Sequence, residues 1–138
     1  MIRIMLVDDE PAVRRGLKMR LELTKERCVV GETGDGTAAL LLIRQLDPDV
    51  VVMDVELPGQ DGICLSGMLR AENKGIAIVI LSMHDDAETR AHAQAAGADK
   101  FVSKHEGTDA LLQAMREAVA YRQARGPYAV QKENESNE

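Results

Sequence analysis

The sequence predicts an α/β fold in which helices cover both faces of a parallel five-stranded sheet. Five short apolar runs alternate with five helical patterns, and strict alternation of this kind is typical of right-handed βαβ units. The apolar runs are mostly continuous, as expected for strands that are buried on both faces. For five strands we expect a three-layer, flavodoxin-like (βα)5 domain with the strand order 2-1-3-4-5.

The predicted strands are the runs richest in β-branched and aliphatic residues, namely Ile2–Val7, Cys28–Thr33, Val50–Met53, Ile76–Leu81 and Lys100–Ser103. The helices between them are predicted from apolar residues that recur every three or four positions. Pro11 suits the first position of the first helix. The predicted inward faces of helices one, two, three and five are, in order, Val13, Leu17 and Leu21; Ala39, Ile43 and Leu46; Leu65, Met68 and Leu69; and Leu111, Leu112, Met115, Ala118 and Val119.

The fourth helix is predicted to be the least firmly held. Its N-terminus has the capping candidates Asp85 and Asp86, and Gly97 is a plausible stop. We expect its inward face to contain only small side chains, those of Ala87, Ala91 and Ala95. A helix that buries so little apolar surface is a candidate for movement.

Composition limits the class of protein. The chain has 138 residues and a formal net charge of −6. We assign residues 1–126 to one domain and the polar residues 127–138 to a disordered tail or a truncated linker, with the last helix ending near Gly126-Pro127.

The negative charge argues against direct nucleic-acid binding. No apolar segment approaches the roughly 20 residues that span a bilayer, so we expect a cytoplasmic protein without a membrane partner.

The two cysteines, Cys28 and Cys64, are far apart and lack a metal-binding spacing. We predict that both are reduced packing residues that lie in the interior.

Polar residues follow four of the five predicted strands. Asp8 and Asp9 follow the first strand, Asp54 the third, Ser82 the fourth and Lys104 the fifth. Because ligands bind outside the carboxyl ends of parallel strands, we expect these side chains to converge on one edge of the sheet. Neighbouring carboxylates repel one another, and Mg²⁺ with oxygen ligands would offset that repulsion. The sequence therefore predicts a site for Mg²⁺ and a phosphate group.

The phosphate could belong to a bound nucleotide, or one carboxylate could be its acceptor. The loop after the first strand, DDEPAVRRG, is acidic and is opened by proline. A nucleotide site would have a glycine-rich loop there. We therefore favour an aspartate that attacks phosphorus, with a metal ion and a lysine neutralising the transferred group.

Taken together, these motifs resemble the receiver domain of two-component response regulators, the CheY-like family, from Met1 to about Ala124. The resemblance rests on the pair Asp8-Asp9, on "MDVELPGQDG" with its glycine-proline turn, on "ILSMHDD", and on "AAGADKFVSK". It implies that Asp54 is the phosphoacceptor. It also implies that Mg²⁺, for which Mn²⁺ can substitute, is held by Asp8, Asp9, Asp54 and the backbone carbonyl of Glu56.

The same resemblance gives roles to four further residues. Lys104 would contact the phosphoryl group, Ser82 and Phe101 would form a switch pair, and Glu56 and His84 would tune hydrolysis. The output face would comprise the fourth helix, the fifth strand and the fifth helix. Dimerisation through that face, or through another helical face, is left open by the sequence.

Two departures from the family pattern are visible. His105 follows Lys104 where many receivers have a proline after a cis peptide bond, and Phe101 replaces the commoner tyrosine. A cis bond before a non-proline residue costs about 2.5–4 kcal/mol, so the geometry of the Lys104-His105 peptide is left open. The segment from Ser82 to Lys104 is especially similar to receivers of NarL/FixJ-type transcription regulators. These 138 residues leave no room for the helix-turn-helix domain of those regulators, so we expect either a stand-alone receiver or a fragment of a longer DNA-binding regulator.

We therefore predict a signalling protein whose phosphoryl donor is the phosphohistidine of a sensor histidine kinase, and which is not an enzyme acting on other substrates. Two alternatives stay open. One is an aspartate-nucleophile phosphohydrolase, which would have a second aspartate where this chain has Glu56. The other is a receiver-like module that binds its partners without phosphorylation.

Overall fold

The computed structural model describes residues 1–72 and 75–136, with 126–136 described as helical backbone only. Within them lie five parallel strands in the order β2-β1-β3-β4-β5, which confirms the predicted fold class. The elements are β1 (Ile2–Val7), α1 (Pro11–Leu21), β2 (Arg27–Thr33), α2 (Gly36–Leu46), β3 (Val50–Met53), α3 (Gly62–Glu72), β4 (Ala77–Ser82), α4 (Ala87–Ala96), β5 (Lys100–Ser103) and α5 (Thr108–Ser136). No helix among the described residues combines the length and the hydrophobicity that a membrane span requires.

The register of the central strands places the site. In the pairing of β1 with β3, Val7 lies opposite Met53. The residues that follow, Asp8 and Asp54, therefore emerge side by side at the carboxyl edge of the sheet. The backbone N–H of Asp54 donates to the carbonyl of Val7 at 2.9 Å and extends the ladder by one bond. This is the point at which the strand order reverses, where open α/β sheets bind ligands.

The core consists of two apolar layers, one on each face of the sheet. Alternate residues of β1 divide between them, with Ile4 and Leu6 in the layer under α1 and α5, and Met5 and Val7 in the layer under α2, α3 and α4. All four are at most 1% exposed. Since strands buried on both faces have no polar side to present, their sequence is continuously apolar.

The inward face of α4 differs from the prediction. Ala87, Ala91 and Ala95 are exposed, and Ala93 is the residue of α4 that is fully buried. Alanines are spread around this helix, so the apolar pattern alone fits more than one face. The predicted ends are confirmed, because the Asp86 side chain accepts a hydrogen bond from the Thr89 N–H and Gly97 ends the helix with φ of 109°.

Two further side chains lie outside the core, contrary to the prediction. Met68 of α3 is 38% exposed. Cys64 is also exposed, whereas Cys28 is half-buried, and both are free thiols. Cys64 lies in the first turn of α3, where its N–H donates to the Asp61 side chain at 2.8 Å. Cys64 lies on the outer side of this turn, whereas Gly62 and Leu65 are buried, so its apolar residue type does not imply burial.

The last helix is longer than predicted. α5 continues past Gly126-Pro127 to Ser136, so the predicted helix end is wrong and residues 127–136 have a helical backbone. Alanine, glutamine, lysine and glutamate follow Pro127, and their helix propensity opposes the cost of about 3 kcal/mol for an interior proline. Residues 137–138 and the side chains of 126–136 lie outside the described residues. The assignment of residues 127–138 to a tail outside the domain stays a prediction.

Candidate functional site

Lys104 lies at the centre of the charged cluster on the carboxyl edge of the sheet. Its Nζ atom is 2.8 Å from Asp54 Oδ2, 2.9 Å from Asp8 Oδ2 and 3.5 Å from Glu10 Oε1. Its backbone N–H donates to the carbonyl of Ser82 at 2.9 Å, which fixes the chain as it leaves β5. The structure thus brings together the lysine and two of the aspartates that the sequence singled out.

Asp8 and Asp54 are arranged alike. Each carboxylate uses Oδ2 to accept from Lys104, while its Oδ1 accepts a backbone N–H two residues later. The Glu10 N–H donates to Asp8 Oδ1 at 2.9 Å, and the Glu56 N–H donates to Asp54 Oδ1 at 3.2 Å. The two local turns aim both carboxylates at the lysine.

The charges of the cluster depend on one another. Asp8 is 4% exposed and Asp54 is 6% exposed, so both need a compensating cation. Burial raises the pKa of Asp8, although the hydrogen bond from Lys104 opposes this. Burial acts to lower the pKa of Lys104, but its hydrogen bonds to Asp54 and Asp8 outweigh that effect and the pKa is raised. The lysine is therefore charged at neutral pH.

An acidic triplet at the end of β1 offers oxygen ligands for a metal ion. Carboxylate oxygens of Asp8, Asp9 and Glu10 lie within 4.8 Å of one another, and the last two residues are exposed. Hard oxygen donors of this kind suit Mg²⁺. Glu10 is missing from the set proposed from the sequence, although the run "DDE" contains its signal. The donor chemistry of these residues fits a magnesium ion.

Ser82 is completely buried at the end of β4, and its Oγ accepts the N–H of His84 at 3.1 Å. The His84 Nε2 atom lies 2.6 Å from Glu56 Oε1, and both side chains are more than half exposed. Sequence analysis gave Glu56 and His84 the same role but predicted no contact between them. The structure joins them into a bridge between the loops that follow β3 and β4.

Phe101 lies on the α4 side of β5. The guanidinium of Arg90 covers its ring at 4.7 Å from the centroid, a cation–π arrangement. Nη1 of Arg90 also donates to the Phe101 carbonyl at 3.5 Å. Phe101 is half-buried in the layer that contains α4. Sequence reasoning missed Arg90, whose position on the helix gave no signal of this contact.

The loop after Lys104 contains no cis peptide bond. Ser103 organises this loop, because its Oγ donates to Asp85 at 2.7 Å and accepts the His105 N–H at 3.1 Å. The Ser103 N–H donates to Glu106 at 2.6 Å. The bond to Ser103 lowers the pKa of Asp85. These contacts tie the loop after β4 to the loop after β5, and the sequence did not reveal them.

Comparison with known proteins places this geometry in a family. The family of response regulator receiver domains matches residues 4–116. The nitrate/nitrite response regulator protein NarP of Escherichia coli is 36% identical over 83% of this chain and 53% of its own length. The chain thus spans about half the length of this curated relative.

Two solved structures give the same result. A LuxR-family two-component response regulator from Aurantimonas is 36% identical, covers 99% of this chain and 98% of its own, and superimposes with a TM-score of 0.84. RcsB from Salmonella enterica, bound to the promoter rprA with the phosphomimetic BeF3−, is 26% identical over 83% of this chain and 66% of its own, with a TM-score of 0.77. The chain belongs to the receiver domains of two-component response regulators.

Proposed function

We propose that Asp54 accepts a phosphoryl group from the phosphohistidine of a sensor histidine kinase, and that this modification switches the domain. The observation that carries the proposal is the position of Lys104, which bridges Asp54 and Asp8 at the strand-order reversal. A buried carboxylate held by a cation at this point is suited to receive an anion, since the cation can neutralise the incoming charge.

The transfer exchanges one bond to phosphorus for another. A carboxylate oxygen of Asp54 forms a bond to phosphorus while the phosphorus–nitrogen bond of the phosphohistidine breaks. The imidazole leaves with the electron pair and takes a proton from solvent. Lys104 then passes from the carboxylates to a phosphoryl oxygen, to which the Ser82 hydroxyl donates as well. Asp54 and Lys104, which carry most of this chemistry, are already in contact.

Mg²⁺ is the proposed cofactor, and Mn²⁺ is a substitute. Asp8, Asp9, Asp54 and the Glu56 carbonyl would hold the ion, with Glu10 beside them. When bound, the ion supplies positive charge that offsets the carboxylates and the developing phosphoryl charge. Lys104 supplies one positive charge against three nearby carboxylates, which supports the need for a second cation.

Glu56 and His84 are proposed to set the lifetime of the aspartyl phosphate. Their bridge joins the two loops beside Asp54, where the pair can position or exclude the water that hydrolyses it. The domain then catalyses its own phosphorylation and slow dephosphorylation, while its role is in signalling.

The switch is proposed to pass from Ser82 to Phe101 and Arg90. Movement of the hydroxyl towards the phosphoryl group would release Phe101 from Arg90 and reshape α4, β5 and α5. Support comes from α4, which buries little beyond Ala93. A homodimer through this face, or through another helical face, is a further part of the proposal.

The output of the pathway is proposed to be transcription in the cytoplasm. RcsB is a relative bound to a promoter, and the chain covers 66% of that protein. The net charge of −6 opposes direct DNA contact by this chain, so a separate DNA-binding segment or partner would read the switched surface. The domain itself corresponds to residues 1–126.

Beryllofluoride binding tests the proposal, because this anion mimics the phosphoryl group on a carboxylate. ¹⁹F NMR of the wild type should give a bound resonance that requires Mg²⁺. The resonance should vanish in Asp54→Asn and persist in Asp109→Asn, whose native side chain is 91% exposed. No bound resonance in the wild type, or one that survives in Asp54→Asn, would overturn the assignment.

A further inference from the structure

The N-terminus of α2 is in direct contact with the loop that follows Asp54. Gly36, the first residue of α2, is buried. Its N–H donates to the carbonyl of Pro58 at 3.0 Å. A β-carbon at Gly36 would overlap the carbonyl oxygen of Gln60, and would lie 2.7 Å from the carbonyl carbon. The two backbones can approach this closely because residue 36 has no side chain.

The loop that follows Asp54 also has a glycine where it contacts the first turn of α2. Gly59 has φ of 81°, a conformation that favours glycine. A β-carbon there would overlap Thr37 Oγ1 and lie 3.0 Å from Asp35 Oδ1. Asp35 caps α2 by accepting the Thr37 N–H at 2.7 Å. The loop and the capped first turn of the helix are therefore packed against each other from both sides.

A second anchor holds the loop at its entry. The N–H of Gly62 donates to the carbonyl of Val55 at 2.8 Å, and a β-carbon at Gly62 would overlap the carbonyl oxygen of Asp54. Glu56 lies between the two anchors, and its N–H donates to Asp54 Oδ1. The direction of the Glu56 carbonyl thus depends on contacts at both ends of a short loop.

We propose that the first turn of α2, centred on Gly36, is a positioning element for the metal site, because it fixes the loop that presents the Glu56 carbonyl. The inference rests on the proposed function, in which that carbonyl is a ligand of Mg²⁺. Gly36 would act on the ion through Pro58 and Gln60. Groups that orient metal ligands typically change affinity about 10–100-fold when they are mutated.

The test compares two glycine-to-alanine variants by calorimetric titration with Mg²⁺. Gly36→Ala should weaken Mg²⁺ binding by roughly tenfold, since either the loop or the helix must shift. Gly16→Ala is the matched control, because a β-carbon at Gly16 meets nothing within 4 Å. Its affinity should equal that of the wild type. The titrations are run where thermal unfolding shows each variant to be about 99% folded, because global destabilisation then leaves the apparent affinity unchanged.

A second variant tests the same element with less strain. Asp35→Ala removes the cap of α2 at a typical cost of about 1 kcal/mol, so the protein should stay folded while the first turn loosens. Its Mg²⁺ affinity should fall by a smaller factor than in Gly36→Ala. Saturating Mg²⁺ should restore the rate of phosphorylation by acetyl phosphate in both variants.

The outcomes separate the inference from the function on which it rests. Unchanged Mg²⁺ affinity in Asp35→Ala and in folded Gly36→Ala would overturn the positioning role. A wild type that neither binds Mg²⁺ nor becomes phosphorylated would overturn the proposed function instead.

Discussion

Two aspartates, Asp54 and Asp99, are both nearly buried beside cations, yet their surroundings differ. Asp99 Oδ2 accepts from Arg70 at 2.9 Å and from the Ile78 N–H at 2.8 Å, while its Oδ1 accepts from Nε of Arg122 at 2.9 Å. Two guanidiniums and a backbone N–H thus hold one carboxylate. At Asp54 the cation is Lys104, which also contacts Asp8 and, at a longer distance, Glu10.

The difference follows from the cations and from what else they contact. Arg70 also donates to the carbonyls of Gly97 and Ile76, so the Asp99 cluster joins α3, β4, α5 and the end of α4. A guanidinium fixes several partners in one plane, whereas an ammonium is a mobile point charge. The Asp99 cluster is therefore suited to a permanent structural role, and the Lys104 cluster to an exchange of partners.

The largest expected effect comes from the same isosteric change at both aspartates. Asp99→Asn removes the charge of the carboxylate that Arg70 and Arg122 both contact, and breaking a buried ion pair of this kind costs about 3–5 kcal/mol. Asp54→Asn relieves repulsion from Asp8 and leaves Lys104 paired with Asp8, so its free energy of unfolding should change by less than about 1 kcal/mol. Urea unfolding measures both. Equal losses of stability would contradict the different roles that we assign to the two clusters.

Removal of the shared lysine should have an intermediate effect. Lys104→Met leaves Asp8 and Asp54 buried without a cation, which should cost about 1–3 kcal/mol at neutral pH. Mg²⁺ should recover part of the loss, because it would supply the missing charge. Lys100→Met is the control, since Lys100 pairs with Glu117 at the surface. Urea unfolding with and without Mg²⁺ gives the result, and a loss that the ion does not reduce would contradict the metal assignment.

Asp9 is an exposed residue of the proposed metal site, and its removal should weaken Mg²⁺ binding more than it destabilises the fold. Asp9→Asn removes one charged oxygen donor, and we expect Mg²⁺ affinity to fall roughly tenfold. The stability of the metal-free protein should be nearly unchanged because Asp9 is exposed. Calorimetric titration measures the affinity, and a value equal to that of the wild type would remove Asp9 from the site.

The smallest effect on stability is expected from the loss of a solvent-exposed ion pair. Arg44 and Glu72 contact each other at the surface, and Arg44 lowers the pKa of Glu72. A depressed carboxyl pKa contributes stability above the pKa of the unfolded chain, and this contribution is lost as pH falls through the lower folded value. Arg44→Met should therefore be slightly destabilising at neutral pH and neutral in strong acid. Thermal unfolding across this pH range tests it, and a pH-independent difference would argue against the pairing.

The two clusters also differ in how far the sequence predicts them. Asp8, Asp54 and Lys104 could be placed together because the carboxyl ends of parallel strands meet at one edge. Arg70 lies on α3, Arg122 lies on α5, and Asp99 directly precedes β5. No periodicity in the sequence indicates that these three side chains contact one another. The parallel sheet followed from the alternation of patterns, and its strand order from the flavodoxin-like arrangement expected for five such strands. The inward face of α4 did not, because alanines occur around most of that helix.

The Gly36 contact shows the same limit. A glycine at the start of a helix fits ordinary capping, and its close approach to Gln60 depends on how α2 and the loop after β3 pack. Such contacts are decided by tertiary structure, while motifs at strand ends are visible in the chain itself.

Intact-mass spectrometry shows directly whether Asp54 accepts a phosphoryl group. The wild type and Asp54→Asn are incubated with acetyl phosphate, with and without Mg²⁺, and quenched at short and long times. We expect one added phosphoryl group in the wild type, and its formation should require both Mg²⁺ and Asp54. An adduct on Asp54→Asn, or none on the wild type at any time in the presence of Mg²⁺, would contradict it.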